Sequence, residues 1–235
     1  MSSSKDTVAD PEKKSKFSFA SCFSAIWNKL FDNETDKLIE CIKRNDIEKF
    51  IFFHKVKNFN FNKVLKNGDT IFLIAARYNK LDIMKYMLMH VTDLIKEEKS
   101  VHGDTALMIA TFNNDLYTIR FLIDLGGLSV NCRDNQGFTP LIAACANGFL
   151  DIAIFLLCLR KADPNITGYN KQSALHRAAY YGQIKILRLL KKYTKLKFSH
   201  ADKNGNTPMH LAAMKCHVEA IRVMLEYVSE FVHSY

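Results

Sequence analysis

Apolar positions along this chain recur three and four residues apart, in short bursts separated by polar turns. That is the pattern of amphipathic helices. Segments 81–88, LDIMKYML, 150–157, LDIAIFLL, and 218–225, VEAIRVML, are of this kind. Each follows a segment of a second kind: TIFLIAARYN, TALMIATFNN, TPLIAACANG, SALHRAAYYG and TPMHLAAMKC open on a hydroxyl residue, and most carry a pair of small residues. The opening residues Thr70, Thr105, Thr139, Ser173 and Thr207 are spaced 35, 34, 34 and 34 apart. The closing residues are Asn79, Asn114, Gly148, Gly182 and Cys216, and a further step of 34 back from Asn79 reaches Asn45. A fixed period of this length predicts a repeat architecture, here with six frames. Within a frame the hydroxyl is expected to cap a short first helix, which a tight turn joins to a second helix. Helices this short are unstable alone, so each copy must bury its apolar face against the next.

The residues of these frames resemble the ankyrin repeat, whose signature contains a T-P-L-H-x-A-A-x-x-G core. The core stands here as Thr139-Pro140-Leu141-Ile142-Ala143-Ala144-Cys145-Ala146-Asn147-Gly148 and Thr207-Pro208-Met209-His210-Leu211-Ala212-Ala213. It recurs as Ser173-Ala174-Leu175-His176 with Ala178, Ala179 and Gly182. Segments 129–137 and 162–165 look like the family's hairpin loops. The resemblance implies an all-α solenoid of helix pairs joined by short β-hairpin loops, with about six repeats over residues 36–235. The first frame lacks the core, and the loops at 91–101 and 194–201 depart from the usual turn, which leaves their hairpin geometry open.

Residues 1–16 are rich in Ser, Lys and Asp and are expected to be disordered. Within 17–35, Phe19, Phe23, Ile26, Trp27 and Leu30 fall on one helical face. The favoured reading is a helix capping the exposed end of the first repeat. The alternatives are a partner-docking helix and a membrane-surface anchor using Lys13, Lys14, Lys16 and an acylated Cys22.

With 48% apolar residues the chain can bury a real core, and no apolar run reaches the length needed to cross a bilayer. The N-terminus shows no signal core, and the six cysteines include no C-x-x-C pair, so a reducing, cytoplasmic setting is expected, with the nucleus or a host-cell cytosol as alternatives. The Lys, Asn, Phe and Ile bias fits an AT-rich genome such as that of a virus, parasite or intracellular bacterium.

No phosphate loop, zinc spacing or nucleophile elbow is present, which points away from an enzyme and implies no catalytic residue, cofactor or metal. His176 and His210 occupy the repeat's own His position and are read as structural, bonding between loops. The resemblance also implies a concave partner groove, lined by the pair before each closing residue and by the hairpin tips. Carried over by position, this selects Arg77, Tyr78, Phe112, Asn113, Ala146, Asn147, Tyr180, Tyr181, Met214 and Lys215 from the helices. Asp69, His102, Asp104, Phe138, Tyr169 and Asn206 come from the tips. Exposed aromatics are common interface anchors, although Phe112 and Tyr180 could instead pack between helices.

Charge adds a second feature. Lys and Arg number 33 against 24 Asp and Glu, a formal net charge of +9. Residues 164–201 contain no acid but hold Lys171, Arg177, Lys185, Arg188, Lys191, Lys192, Lys195 and Lys197. Such a stretch is either a solvated helix face or an attractor for an acidic protein or an anionic membrane; nucleic acid ranks last. The expected function is a non-catalytic adaptor or inhibitor that holds a partner protein in the groove. The alternative is a peripheral membrane protein using the N-terminal segment and the basic fifth repeat.

Overall fold

A computed structural model of the chain describes residues 34–57, 59–193 and 199–232. The expected tail at 1–16 and the amphipathic segment at 17–31 lie outside the described residues, as do Lys195 and Lys197. Twelve α-helices among the described residues form six consecutive pairs: α1 (Glu34–Arg44) with α2 (Ile47–Lys57), α3 (Ile71–Arg77) with α4 (Leu81–His90), α5 (Ala106–Phe112) with α6 (Leu116–Asp124), α7 (Pro140–Asn147) with α8 (Leu150–Ile154), α9 (Ala174–Tyr180) with α10 (Ile184–Lys191), and α11 (Pro208–Met214) with α12 (Val218–Val232). Each first helix packs on its neighbours in the series α1, α3, α5, α7, α9, α11, which makes one continuous stack.

The local causes of each helix are those expected from the repeat. Thr70, Thr105, Thr139 and Thr207 have extended backbones, and their hydroxyls accept from the N–H three residues on, at 3.3–3.4 Å. Each therefore satisfies one donor of the first turn that the helix itself leaves unpaired. Pro140 and Pro208 occupy the first helical turn, where a missing N–H costs nothing. At the other end of every first helix the closing residue is left-handed: Asn45, Asn79, Asn114, Gly148, Gly182 and Cys216 have φ between 54° and 75°. This reverses the chain in one residue and starts the second helix.

Small residues let the first helices approach closely. Ala75, Ala76, Ala110, Ala144, Cys145, Ala178, Ala179 and Ala212 are fully buried, as is Thr111, whose hydroxyl donates to the Leu107 carbonyl at 2.8 Å. Larger apolar residues of the second helices, such as Ile83, Met87, Ile119, Leu122, Ile152, Leu187 and Met224, complete a core that runs the length of the stack.

The connections differ in one respect from the expected β-hairpins. Among the described residues, pairing amounts to a single isolated bridge, Thr167 with Ser173. The tips are five-residue turns at 65–69, 100–104, 134–138, 168–172 and 202–206, each closed by backbone bonds from both ends of the turn. Their fourth position is left-handed, at Gly68, Gly103, Gly137, Lys171 and Gly205. Side chains inside the turns supply bonds a strand ladder would otherwise make: Asp134 Oδ1 accepts from the Gln136 and Phe138 N–H groups, both at 2.8 Å. The irregular loop at 91–101 ends on the same turn, with Ser100 Oγ accepting from His102 and Asp104. A second difference lies after α8, where the helix widens into a π-helical turn at Phe155–Leu159. The guanidinium groups of Arg120 and Arg160 lie 5.5 and 4.9 Å from the Phe155 ring centre there.

Candidate functional site

The first helices and the turn tips together enclose a groove of about 390 Å3 at the middle of the stack. Its floor is Met108, Ile142 and Ala143, from α5 and α7. Phe112, Ala146, Asn147 and Tyr181 form the helix side, His102, Asp104, Asp134, Gln136 and Phe138 the tip side, and Arg177 closes it from α9. Three consecutive repeats thus contribute to one concavity, because a constant period sets equivalent side chains side by side.

The residues expected in this groove fall into three groups. Phe112 and Tyr181 stand 48% and 45% exposed and line it directly, joined by His102 and Asn147. Phe112 is therefore a surface aromatic and does not pack between helices. Phe138 is only 9% exposed: its edge lines the groove while its body is held under Arg177 and against Gly168. Tyr180 is half-buried, with the Lys215 ammonium 4.7 Å from its ring centre and Tyr181 edge-on at 5.0 Å.

A second group is engaged within the stack. Arg77 reaches across to the tip of its own repeat, where Nε donates to Asp69 Oδ2 at 2.8 Å and Nη2 to Oδ1 at 3.2 Å, and Nη2 lies 3.7 Å from Asp104 Oδ2. This bidentate pair holds the guanidinium above its ordinary pKa and gives the buried Asp69 carboxylate its counter-ion. The Asn113 amide donates to the Ala76 carbonyl of the preceding repeat at 3.1 Å. The third group, Tyr78, Tyr169, Met214 and Lys215, is exposed on the stack but lies outside the central groove. Tyr169 lies over Arg133, and Tyr78 beside Lys43.

The basic stretch is divided in the same way. Lys185, Arg188 and Lys192 are exposed along or just after α10, Lys171 takes the left-handed place in a turn tip, and among the described residues of the stretch Arg177 alone enters the groove. Residue spacing could not separate these, because α9 and α10 run back to back and present different sides.

The two histidines at the family position behave differently from each other. His176 is buried, its Nδ1 meets the Ser173 N–H at 3.3 Å and hydroxyl at 2.9 Å, and its Nε2 bonds the Asn206 carbonyl at 3.2 Å. Burial lowers its pKa, so it is neutral near pH 7. His210 bonds Thr207 within its own turn. Burial raises the thiols of Cys41 and Cys132 to about 11 and that of Cys145 further, which keeps all three protonated and unreactive. Among the described residues no three His, Cys, Asp or Glu side chains gather as metal ligands would. No described helix is long and apolar enough to cross a membrane.

Comparisons with known proteins point to the same repeat. A family model described as ankyrin repeats matches residues 38–134, 90–168 and 159–233. A putative ankyrin repeat protein of fowlpox virus is 32% identical over 132 residues, 55% of this chain and 38% of its own length. Ankyrin repeat domain-containing protein 63 of the mouse is 29% identical over 164 residues, 67% of this chain and 42% of that protein. A human ion channel, transient receptor potential cation channel subfamily A member 1, is 28% identical over 76% of this chain, which matches 16% of the channel. The chain thus spans less than half the length of each of these relatives. The family model covers most of the chain, and the repeat period, the caps and the six left-handed closures agree with it: the chain belongs to the ankyrin-repeat family.

Proposed function

We propose that this chain is a non-catalytic adaptor or inhibitor that holds a segment of a partner protein in the groove between Phe112, Phe138 and Tyr181. Ankyrin repeats in general mediate protein–protein interaction, and the particular role rests on the groove. The observation that carries it is the exposure of Phe112 and Tyr181 on the wall of a 390 Å3 concavity with a fully apolar floor. Exposed aromatic walls around an apolar floor suit the anchor side chains of a peptide, and a preorganised stack loses little entropy on binding. The exposed cations along α10 favour an acidic partner, steered by charge before it docks. We place the protein in a reducing, cytoplasmic setting.

A photo-crosslinking residue tests the reading when placed at Phe112 or Tyr181, with Tyr117 on α6 as the control outside the groove. Crosslinks to one protein partner from both groove positions and none from Tyr117 are expected. Equal crosslinking from all three would remove the groove from the function. A membrane-associated role would instead need residues 13–31, which lie outside the described residues.

A further inference from the structure

The fourth residue after the opening hydroxyl is Ile74, Ile109, Ala143, Arg177 and Leu211 in successive frames. Ile74, Ile109, Ala143 and Leu211 are no more than 6% exposed and serve as groove floor or core. In the fifth frame the repeat's own logic therefore calls for an apolar residue, and the chain supplies a guanidinium.

Arg177 is held by aromatic rings instead of by a carboxylate. Its Cζ lies 5.2 Å from the Phe138 ring centre, 5.1 Å from Tyr181 and 6.0 Å from Tyr180. Nη2 donates to the Tyr181 hydroxyl at 3.3 Å, and the buried Nε has no acceptor. Among the described residues its charge has no carboxylate within 4.0 Å, whereas Arg77 has Asp69 and Arg160 has Asp124. Nε is enclosed and out of a ligand's reach, so an incoming carboxylate meets the terminal nitrogens, and a half-buried cation without a carboxylate is costly unless an anion completes it. The rings around it restrain the guanidinium, so little side-chain freedom is lost when a carboxylate reaches its terminal nitrogens.

We propose that Arg177 is the receptor for a single Asp or Glu side chain on the partner segment that occupies the groove, an inference that rests on the function proposed above. The walls restrict the partner further. Phe112, with Met108 and Ile142 beneath it, takes an apolar side chain next to the acidic one, while Asp104 and Asp134 on the tip side repel a run of carboxylates. The segment is thus one acid beside an apolar residue, and not a polyacidic stretch.

Selection of a random peptide library displayed on phage against the immobilised full chain tests this. The selected peptides are expected to share one Asp or Glu next to an aliphatic or aromatic residue. Replacing that acid by Ala, or Arg177 by Ile or by Gln, should weaken their binding by roughly 30-fold or more. Arg177→Ile should melt no lower than the parent, since it restores the apolar residue of the other frames, and Arg177→Gln provides the same comparison with an uncharged polar side chain. Peptides that depend on Phe112 and Tyr181 but share no acid, or that bind Arg177→Ile as well as the parent, overturn the carboxylate receptor and leave the groove reading standing. If no selected peptide depends on Phe112 or Tyr181, both fail. Displacement by inorganic phosphate at concentrations where acetate has no effect would reassign Arg177 to phosphate and also overturn the proposal.

Discussion

Nε2 of His176 lies 3.2 Å from the backbone carbonyl oxygen of Asn206, so a buried side chain of the fifth repeat is bonded to the turn tip of the sixth. Because the Ser173 N–H donates to Nδ1, the proton of the neutral ring belongs on Nε2, where it meets that carbonyl. One imidazole therefore caps its own helix and fastens the next copy.

Acid should loosen this link. The folded-state pKa of His176 is lowered by burial below its ordinary value of 6.5, so the unfolded chain takes up the proton first. The contribution is fully present above pH 6.5 and is lost as pH falls from there through the lower folded pKa. In urea titrations between pH 7.5 and 5, His176→Gln should cost about 1–3 kcal/mol at the upper end. The gap to the parent should narrow at the lower end; a gap independent of pH would show that the ring does not titrate with unfolding.

The left-handed closures predict stabilising changes. Cys216 has φ 57° where Gly148 and Gly182 occupy the same place in earlier frames, and Lys171 has φ 62° where the other tips carry Gly. A side chain costs roughly 1–2 kcal/mol in this region, partly offset by the extra freedom of glycine when unfolded. Cys216→Gly and Lys171→Gly should each raise stability by about 0.5–1 kcal/mol in denaturant melts. The reverse change Gly103→Ala should be far more damaging than Gly205→Ala. A Cβ at 103 would lie 2.3 Å from the Asn135 backbone nitrogen, while none of the surrounding atoms comes within 4 Å at 205.

The groove aromatics should separate into binders and packers. Phe112→Ala and Tyr181→Ala are expected to lower partner affinity by about 2 kcal/mol each and to leave the melting temperature nearly unchanged. Phe138→Ala should lower the melting temperature by several degrees, because it empties the space under Arg177 and beside Gly168. Calorimetric titration beside thermal melts of the same three variants gives both readings.

Charge reversal on α10 tests the proposed preference for an acidic partner apart from the groove. Changing Lys185, Arg188 and Lys192 together to Glu should slow association by about tenfold at low salt, with dissociation little altered and the difference shrinking toward 0.5 M salt. Stopped-flow or surface-based kinetics across salt concentrations measures it, and an unchanged association rate would remove the steering role.

The repeat itself was legible in the chain because its determinants are local. A hydroxyl three residues before the N–H it caps, an Asn or Gly at the reversal and paired small residues all act within a few positions, so Thr139 or Gly148 announces its role wherever the chain goes. The resemblance assigned candidate groove positions, but what each side chain does there was not legible in the sequence. Arg77 reads as a groove contact and is spent on Asp69; Phe112 could pack and instead stands exposed; Phe138 reads as exposed and is mostly covered. Arg177 counted as one cation among eight, although its frame position, apolar in the four other copies with a hydroxyl opening, was a signal present in the sequence. What only the tertiary structure decided is which of these groups meet. The groove draws on three repeats separated by 34 residues each, and whether a cation finds a carboxylate or an aromatic ring depends on side chains that approach only once the helices have stacked.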